Sequence, residues 1–473
     1  MLRFLCLVSI FFFMDLSAVE KPNFLIIVAD DCTYNDLPVY GGKNALTPNI
    51  DLLAKKGLTF NQAYLATAMC QPARSELYTG LYPFSNGSSW NHSASIPGTK
   101  SMPRLLGQMG YRVGIAGKVH VKPEKVYPFK YVEGFEKSCV KNETASHNTG
   151  EILNFMKADK AFCLVVCLVE PHVPWTMGDA SKYPVDKLQL PKNIADTPVT
   201  RQCFSNYLAE ITYMDSQVGD ILKALDESGK TENTIVIFTS EQGSQFPGSK
   251  WTNWNTGLHT AFIASLPGRI PQNERTDALI QYADVLPTLI DIAGGADNEN
   301  FDGKSFKDVL FNGGKTHRKY VYGSHNNVPE GSPYPIRSIS NGKYRYILNL
   351  KPDAKYYEKH LMVMSGNPNG RLANMYWRTW VKASETDPQI KFLHDRCVNR
   401  PPEELYHTLQ DSYEMNNLAK NIEYEPIKKE LKSELAKWMT EYGDPGAAQD
   451  TVEAKNAASK GRHLYKPKAK ESK

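Results

Sequence analysis

Beyond its first twenty residues the 473-residue chain lacks any apolar run long enough to cross a bilayer, which argues against membrane-spanning helices. The apolar start, "MLRFLCLVSIFFFMDLSAVE", is itself too short to span. With Arg3 ahead of the apolar stretch and small residues at Ser17-Ala18, residues 1–18 read as a secretory signal peptide. The mature chain is therefore expected to be secreted or periplasmic, with no stable membrane insertion. Cysteine is scarce, at 8 residues. Cys6 leaves with the signal, and the remaining seven (Cys32, Cys70, Cys139, Cys163, Cys167, Cys203, Cys397) are an odd number. In an exported protein that implies one thiol not meant to pair, and Cys70 is the expected one. Cys163 and Cys167, inside "AFCLVVCLVE", read as buried bystanders. Charge of one sign is also lacking. The net +4 comes wholly from Asp450 onward, so the body is near neutral and nothing argues for nucleic acid. The stretch 449–473 reads as a basic, solvated tail. No internal repeat is visible.

The composition present is that of a globular protein, 41% apolar and 22% charged, which excludes wholesale disorder. Apolar strands alternate with helices: "NFLIIVAD", "YRVGIAGKVH", "AFCLVVCLVE", "NTIVIFTSEQG" and "TAFIASLPG". The longest helical stretch is "YLAEITYMDSQVGDILKALDESG". That texture predicts an α/β domain over 19–335 with a mostly parallel sheet covered on both faces. In such sheets ligands bind beyond the carboxyl ends of the strands. Past residue 335, "IRSISNGKYRYILNL" reads as a hairpin with an Asn-Gly turn. A smaller α+β domain is expected over 336–448.

Chemistry concentrates where strands end. In "TAMCQPARSELYTG" (67–80), Pro72 suits the first turn of a helix and Gly80 its stop. Cys70 would lie at the helix N-terminus, where free N–H groups attract anions, with Arg74 one turn on along the same face. Asp30 and Asp31 close the first strand, and Glu241-Gln242 close another. Three carboxylates and an amide oxygen from two strand ends suit a hard cation such as calcium. Either acid pair alone could instead cap the following helix. Lys118 and His120, two apart on an expected strand, would point the same way. His172 follows a buried strand, and Lys250 follows the Glu241 loop.

Together "NFLIIVADD", "TPNIDLLAKKGLTFNQAY", "CQPARSELYTGLYP", "GIAGKVH" and "ELYHTLQDSYEMNNLA" resemble the type I, formylglycine-dependent sulfatases across nearly the whole mature chain. "GKVHVKPEKVYPF" and "FTSEQGSQFPGSKWTN" look closest to the heparan N-sulfatase (sulfamidase) branch. The resemblance implies an alkaline-phosphatase-like fold: a large mixed, mostly parallel sheet sandwiched by helices, then a small C-terminal sheet with a helix. It implies that a formylglycine-generating or anaerobic maturation enzyme oxidises Cys70, and that one hydroxyl of the aldehyde hydrate attacks sulfur. The alcohol or amine leaves, and the second hydroxyl then expels sulfate. By the same analogy Asp30, Asp31, Cys70, Glu241 and Gln242 hold one calcium ion, rather than magnesium. Arg74 and Lys118 steady the formylglycine and developing charge, and Lys250 clamps the sulfate. His120 is the base and His172 the proton donor. The implied substrate is a sulfated oligo- or polysaccharide.

The chain departs from the family pattern at Glu241-Gln242, where Asp followed by Asn or His is usual; both oxygens are kept on longer arms. His259 falls where many relatives carry arginine and is assigned no catalytic role. His92, Trp175, Trp251, Trp254, His325 and Arg337 are candidates to line sugar subsites, though each reads individually as structural. Two other functions stay open. One is a phosphoesterase or phosphonate hydrolase of the same superfamily, usually with a Thr or Ser nucleophile and two zinc ions. The other is an inactive relative that binds sulfated glycans.

Overall fold

A computed structural model describes residues 21–139, 147–296, 300–364 and 375–465. The expected signal peptide, residues 1–18, lies outside the described residues. Strand Asn23–Ala29 is buried along its whole length. Successive strand side chains point to opposite faces, so Leu25, Ile27 and Ala29 join one apolar cluster while Phe24, Ile26 and Val28 join another. This is why its sequence is an unbroken apolar run rather than an alternating one. The strand pairs in parallel with Phe162–Cys167 on one side and Thr234–Ser240 on the other.

Eight strands make the large sheet. Arg112–Gly117 and Lys130–Val132 extend it at one edge. Phe262–Ser265, Leu58–Phe60 and Glu274–Thr276 extend the other, and only Phe262–Ser265 runs antiparallel to its neighbours. Helices cover both faces. The 30-residue helix Pro198–Glu227 starts at Thr197, whose side chain accepts from the Thr200 N–H, and it puts Phe204, Tyr207, Leu208 and Ile211 on one face. Helix Cys70–Thr79 puts Ala73 and Leu77 on the other, and it stops at Gly80, where φ is +66°.

A second sheet carries strands Val321–His325, Ile336–Ser340, Tyr344–Asn349 and Glu403–His407 in that antiparallel order. The expected hairpin turns at Asn341-Gly342, with Gly342 at φ +84°. Helix Glu425–Tyr442 lays Leu431, Leu435 and Trp438 on this sheet, and Trp438 stacks on Tyr322 at 4.6 Å. The sheet takes its first strand from before residue 336, and Ser324 N–H donates to Ala66 O (2.7 Å), tying it to the large sheet's side of the protein.

Two expectations need correction. Residues 449–465 do not form a solvated tail; residues 466–473 lie outside the described residues. Asp450 is fully buried and accepts backbone N–H bonds from Asn327 (2.9 Å), Val328 (2.9 Å) and Tyr334 (2.7 Å). Helix Val452–Ser459 follows, capped by Thr451, and packs Ala454 and Ala458 against Trp90. The basic average of the stretch hides a short alanine face. The odd number of cysteines does not single out Cys70 either, because all seven described cysteines are free thiols. Among the described residues no helix is long and apolar enough to cross a membrane.

Asp450→Ala strands three buried N–H groups, and it is expected to lower stability by about 2–4 kcal/mol in denaturant or thermal unfolding.

Candidate active site

Register sets the site. Ala29 lies opposite Ser240, Val28 opposite Cys167, and Gly117 also opposite Cys167, so four parallel strands beside one another end at nearly one level. Glu241 N–H donates to Ala29 O (2.9 Å) and Lys118 N–H to Cys167 O (3.0 Å), which brings the next residues of each strand out side by side. Helix Cys70–Thr79 points its N-terminus at them. One oxygen each of Asp30, Asp31 and Glu241 lies with Cys70 Sγ in a group whose atoms are all within 4.8 Å of one another. Gln242 Nε2 donates to Asp31 Oδ1 (2.6 Å) and contacts Cys70 Sγ (3.1 Å). Its Oε1 is buried with no hydrogen-bond partner. Three buried carboxylates fit a divalent, oxygen-seeking cation, and the Gln242 amide presents its nitrogen rather than its oxygen to them.

Cations ring this cluster. Arg74 pairs with Glu241 through Nε and donates from Nη1 to Lys118 O (2.6 Å), while its Nη2 is buried without a partner. Lys118 Nζ pairs with Asp30, and Lys250 Nζ with Asp31 Oδ2 at 2.7 Å. His172 Nε2 lies 3.4 Å from the same oxygen. Strand Arg112–Gly117 ends before Lys118, so the expected shared strand face of Lys118 and His120 is not what aligns them. The chain turns out of the strand through Gly117 (φ +75°), and His120 itself sits at φ +40°. His120 Nε2 lies 3.3 Å from His92 Nδ1.

The two histidines are tuned apart. Burial, with Lys118 and Arg74 nearby, pushes His120 well below its ordinary value, so it is neutral. Burial would also lower His172, but the Asp31 carboxylate outweighs it and raises the imidazole. Burial would raise Asp30, but Lys118 holds it well below the carboxylate range; burial pushes Glu241 up in spite of Arg74. Burial and the Asp30 charge push the Cys70 thiol up, leaving it protonated and a weak nucleophile as encoded.

The family model described as Sulfatase matches residues 22–296, more than half of the chain. The chain belongs to the sulfatase family. It is a sulfuric ester hydrolase, and similarity to single members extends past the matched region. An ulvan-active sulfatase of Formosa agariphila is 33% identical over 435 residues, covering 90% of this chain and 81% of that protein. Human N-sulphoglucosamine sulphohydrolase is 26% identical, covering 91% and 92%. The fold matches that of BT4656, solved with its substrate D-glucosamine-2-N,6-O-disulfate, at a TM-score of 0.64 and 20% identity over 90% of this chain and 99% of that one.

Of the candidate wall residues, the sulfatase fold brings only two next to the cluster. His92 faces His120, and the Trp251 ring carries Lys250 Nζ at 4.6 Å. The other four are interior. Trp175 stacks on Phe246 (4.7 Å), and Trp254 donates to Glu404 (2.7 Å) between Arg396 and Arg400. His325 bonds Asn327 (3.2 Å), and Arg337 pairs with Asp444. His259 lies buried between Tyr34 and Tyr64, with ring centroids at 3.7 and 4.6 Å. Sequence reasoning missed Cys139. Its sulfur lies within 4.8 Å of both Asp30 and His172, and although burial would raise it, His172 and Lys118 bring the thiol down to about 7. Nothing in its local sequence announces that position, since the contact is made only by the fold.

A side chain at Gly117 would strike Cys167 O, at a φ that favours glycine. Gly117→Ala is therefore expected to displace Lys118 and cut kcat/KM on an aryl sulfate by about tenfold or more, with the overall fold unchanged by circular dichroism.

Proposed function

We propose that this sulfatase is exported and releases sulfate from a sulfated glycan, using formylglycine made from Cys70 by a maturation enzyme and one bound calcium ion. The observation that carries the reading is the convergence of one oxygen each of Asp30, Asp31 and Glu241, with the Gln242 amide beside them, on the sulfur of a helix-terminal cysteine, inside a ring of Arg74, Lys118 and Lys250. The names of the relatives, one ulvan-active and one acting on N-sulphoglucosamine, support a sulfated glycan as the substrate class.

When bound, calcium supplies Lewis-acid polarisation of a sulfate oxygen, and formylglycine supplies a hydrate oxygen as nucleophile. The chain's own groups do the rest. Lys250 and Lys118 draw in the sulfate and hold its charge. Arg74 keeps Glu241 in place and holds a buried, unpartnered Nη2. His172, whose pKa the Asp31 carboxylate raises against burial, donates a proton to the leaving oxygen or nitrogen. His120, kept neutral by burial and its cationic surroundings, accepts a proton at Nε2 or Nδ1. Opposed tuning of two neighbouring titratable groups is the usual mark of an acid and a base. The same geometry serves an S–O or an S–N bond, and a panel of defined O- and N-sulfated oligosaccharides distinguishes them.

Three results test this. In protein co-expressed with a formylglycine-generating enzyme, the peptide carrying Cys70 loses its sulfur by mass spectrometry, and sulfate is released from an aryl sulfate far faster than phosphate from an aryl phosphate. An unmodified Cys70 with no sulfate release from any glycan would favour the binding-protein reading. Calcium added to chelator-treated protein raises Tm, and Asp31→Ala removes that rise even in unmatured protein. Activity falls at low pH as His120 gains a proton, at a pH below the ordinary histidine value, and falls at high pH as His172 loses one, above it. His172→Gln and His120→Gln are each expected to lower kcat by about 10²–10⁴ and to abolish the alkaline and acid limb respectively.

A further inference from the structure

The floor of the pocket accounts for one sulfate, but its mouth is built from segments far apart in the chain. On one side exposed His92 leans on His120. On another, His360 stacks on Trp251 (5.7 Å), and its neighbour Lys359 is exposed, with Nζ donating to Pro329 O at 3.1 Å. The C-terminal helix Val452–Ser459 closes a third side. Ala94 N–H donates to Ala458 O (3.0 Å), Ala454 packs on Trp90, and Gln449 Nε2 reaches Ser89 Oγ (3.3 Å). Those anchors flank His92 in sequence and hold part-exposed Lys455 close enough for its charge to act on His92 and Glu330; the charges of Lys122 and Lys359 act on His92 as well.

The positive charge there is not taken up by ion pairs. Among the described residues no carboxylate forms an ion pair with Lys122, Lys359 or Lys455, although surface lysines elsewhere on the molecule find acidic partners. The two carboxyls of the same wall, Glu330 and Glu358, are buried. Burial pushes both up, Glu358 to about 8, while the charges of Lys359 and Lys455 act against the rise at Glu330, leaving at most one carboxylate against the two lysines. One sulfate held at residue 70 by Lys118 and Lys250 needs none of these three lysines.

We propose that Lys455 and Lys359 form an anion subsite at the pocket mouth that takes a second acidic substituent, carboxylate or sulfate, of the glycan whose scissile sulfate sits at residue 70. This rests on the glycan-sulfatase reading above and adds a preference for multiply charged sugars. It also gives the C-terminal helix a part in recognition.

The test is calorimetric binding to full-length protein expressed without the maturation enzyme. The probes are three oligosaccharides of equal length: one with a single sulfate, one with an added sulfate and one with an added uronate. Wild-type protein should bind at least one doubly acidic probe more tightly than the singly acidic one, and that preference should weaken as salt is raised. Lys455→Glu and Lys359→Glu should each shrink it about five- to tenfold, and Lys455→Met by less. The probe whose advantage collapses identifies the substituent. Lys455→Met, checked by thermal unfolding, covers the case in which charge reversal disturbs the helix. An equal preference in wild type and all three variants overturns the subsite. A matured enzyme that releases no sulfate from any probe, yet keeps the lysine-dependent preference, overturns the hydrolase reading and leaves the subsite standing.

Discussion

Parallel pairing of Asn23–Ala29 with Thr234–Ser240 fixes where two acidic strand ends emerge, and every feature of the pocket is arranged around that register. A slip of one residue would turn each strand's alternation over and send Asp30 and Glu241 to opposite faces of the sheet. Holding three carboxylates together in a site without solvent is costly, and the fold meets that cost with Arg74, Lys118 and Lys250, all buried. Backbone strain gathers in the same place. Of the six non-glycine residues with left-handed φ among those described, Asp31, His92, His120 and Trp251 belong to this pocket. Each such conformation costs on the order of 1–3 kcal/mol and persists only where the surroundings dictate it.

Much of this arrangement is legible in the sequence because it depends on local signals. Unbroken apolar runs mark the central strands, and acids directly after them mark the end where ligands bind. Pro72 marks the first turn of a helix and Gly80 its stop, as they do in the structure. The alignment of Lys118 with the cluster is less legible: a strand pattern runs through "GIAGKVH", yet the strand stops at Gly117 because its left-handed backbone turns the chain aside.

What escapes sequence reasoning is decided by contacts between distant segments. Trp254 and Arg337 have the chemistry of sugar-binding residues but serve as interior struts, one between two guanidinium groups and the other against Asp444. His360 and Lys455 lie in stretches with no motif and gain meaning only from what they face. The segment after residue 449 averages to a basic tail, while Asp450 and two alanines bind it to the body.

Cys70 is 2% exposed, on a helix with every residue buried. In the native state no second protein can grasp that segment. If the thiol is to become an aldehyde, the conversion has to happen on a nascent or unfolded chain, before the sheet and helix close over it. Folding and maturation are then rivals in time, and a chain that folds too soon would be well packed, soluble and permanently inert.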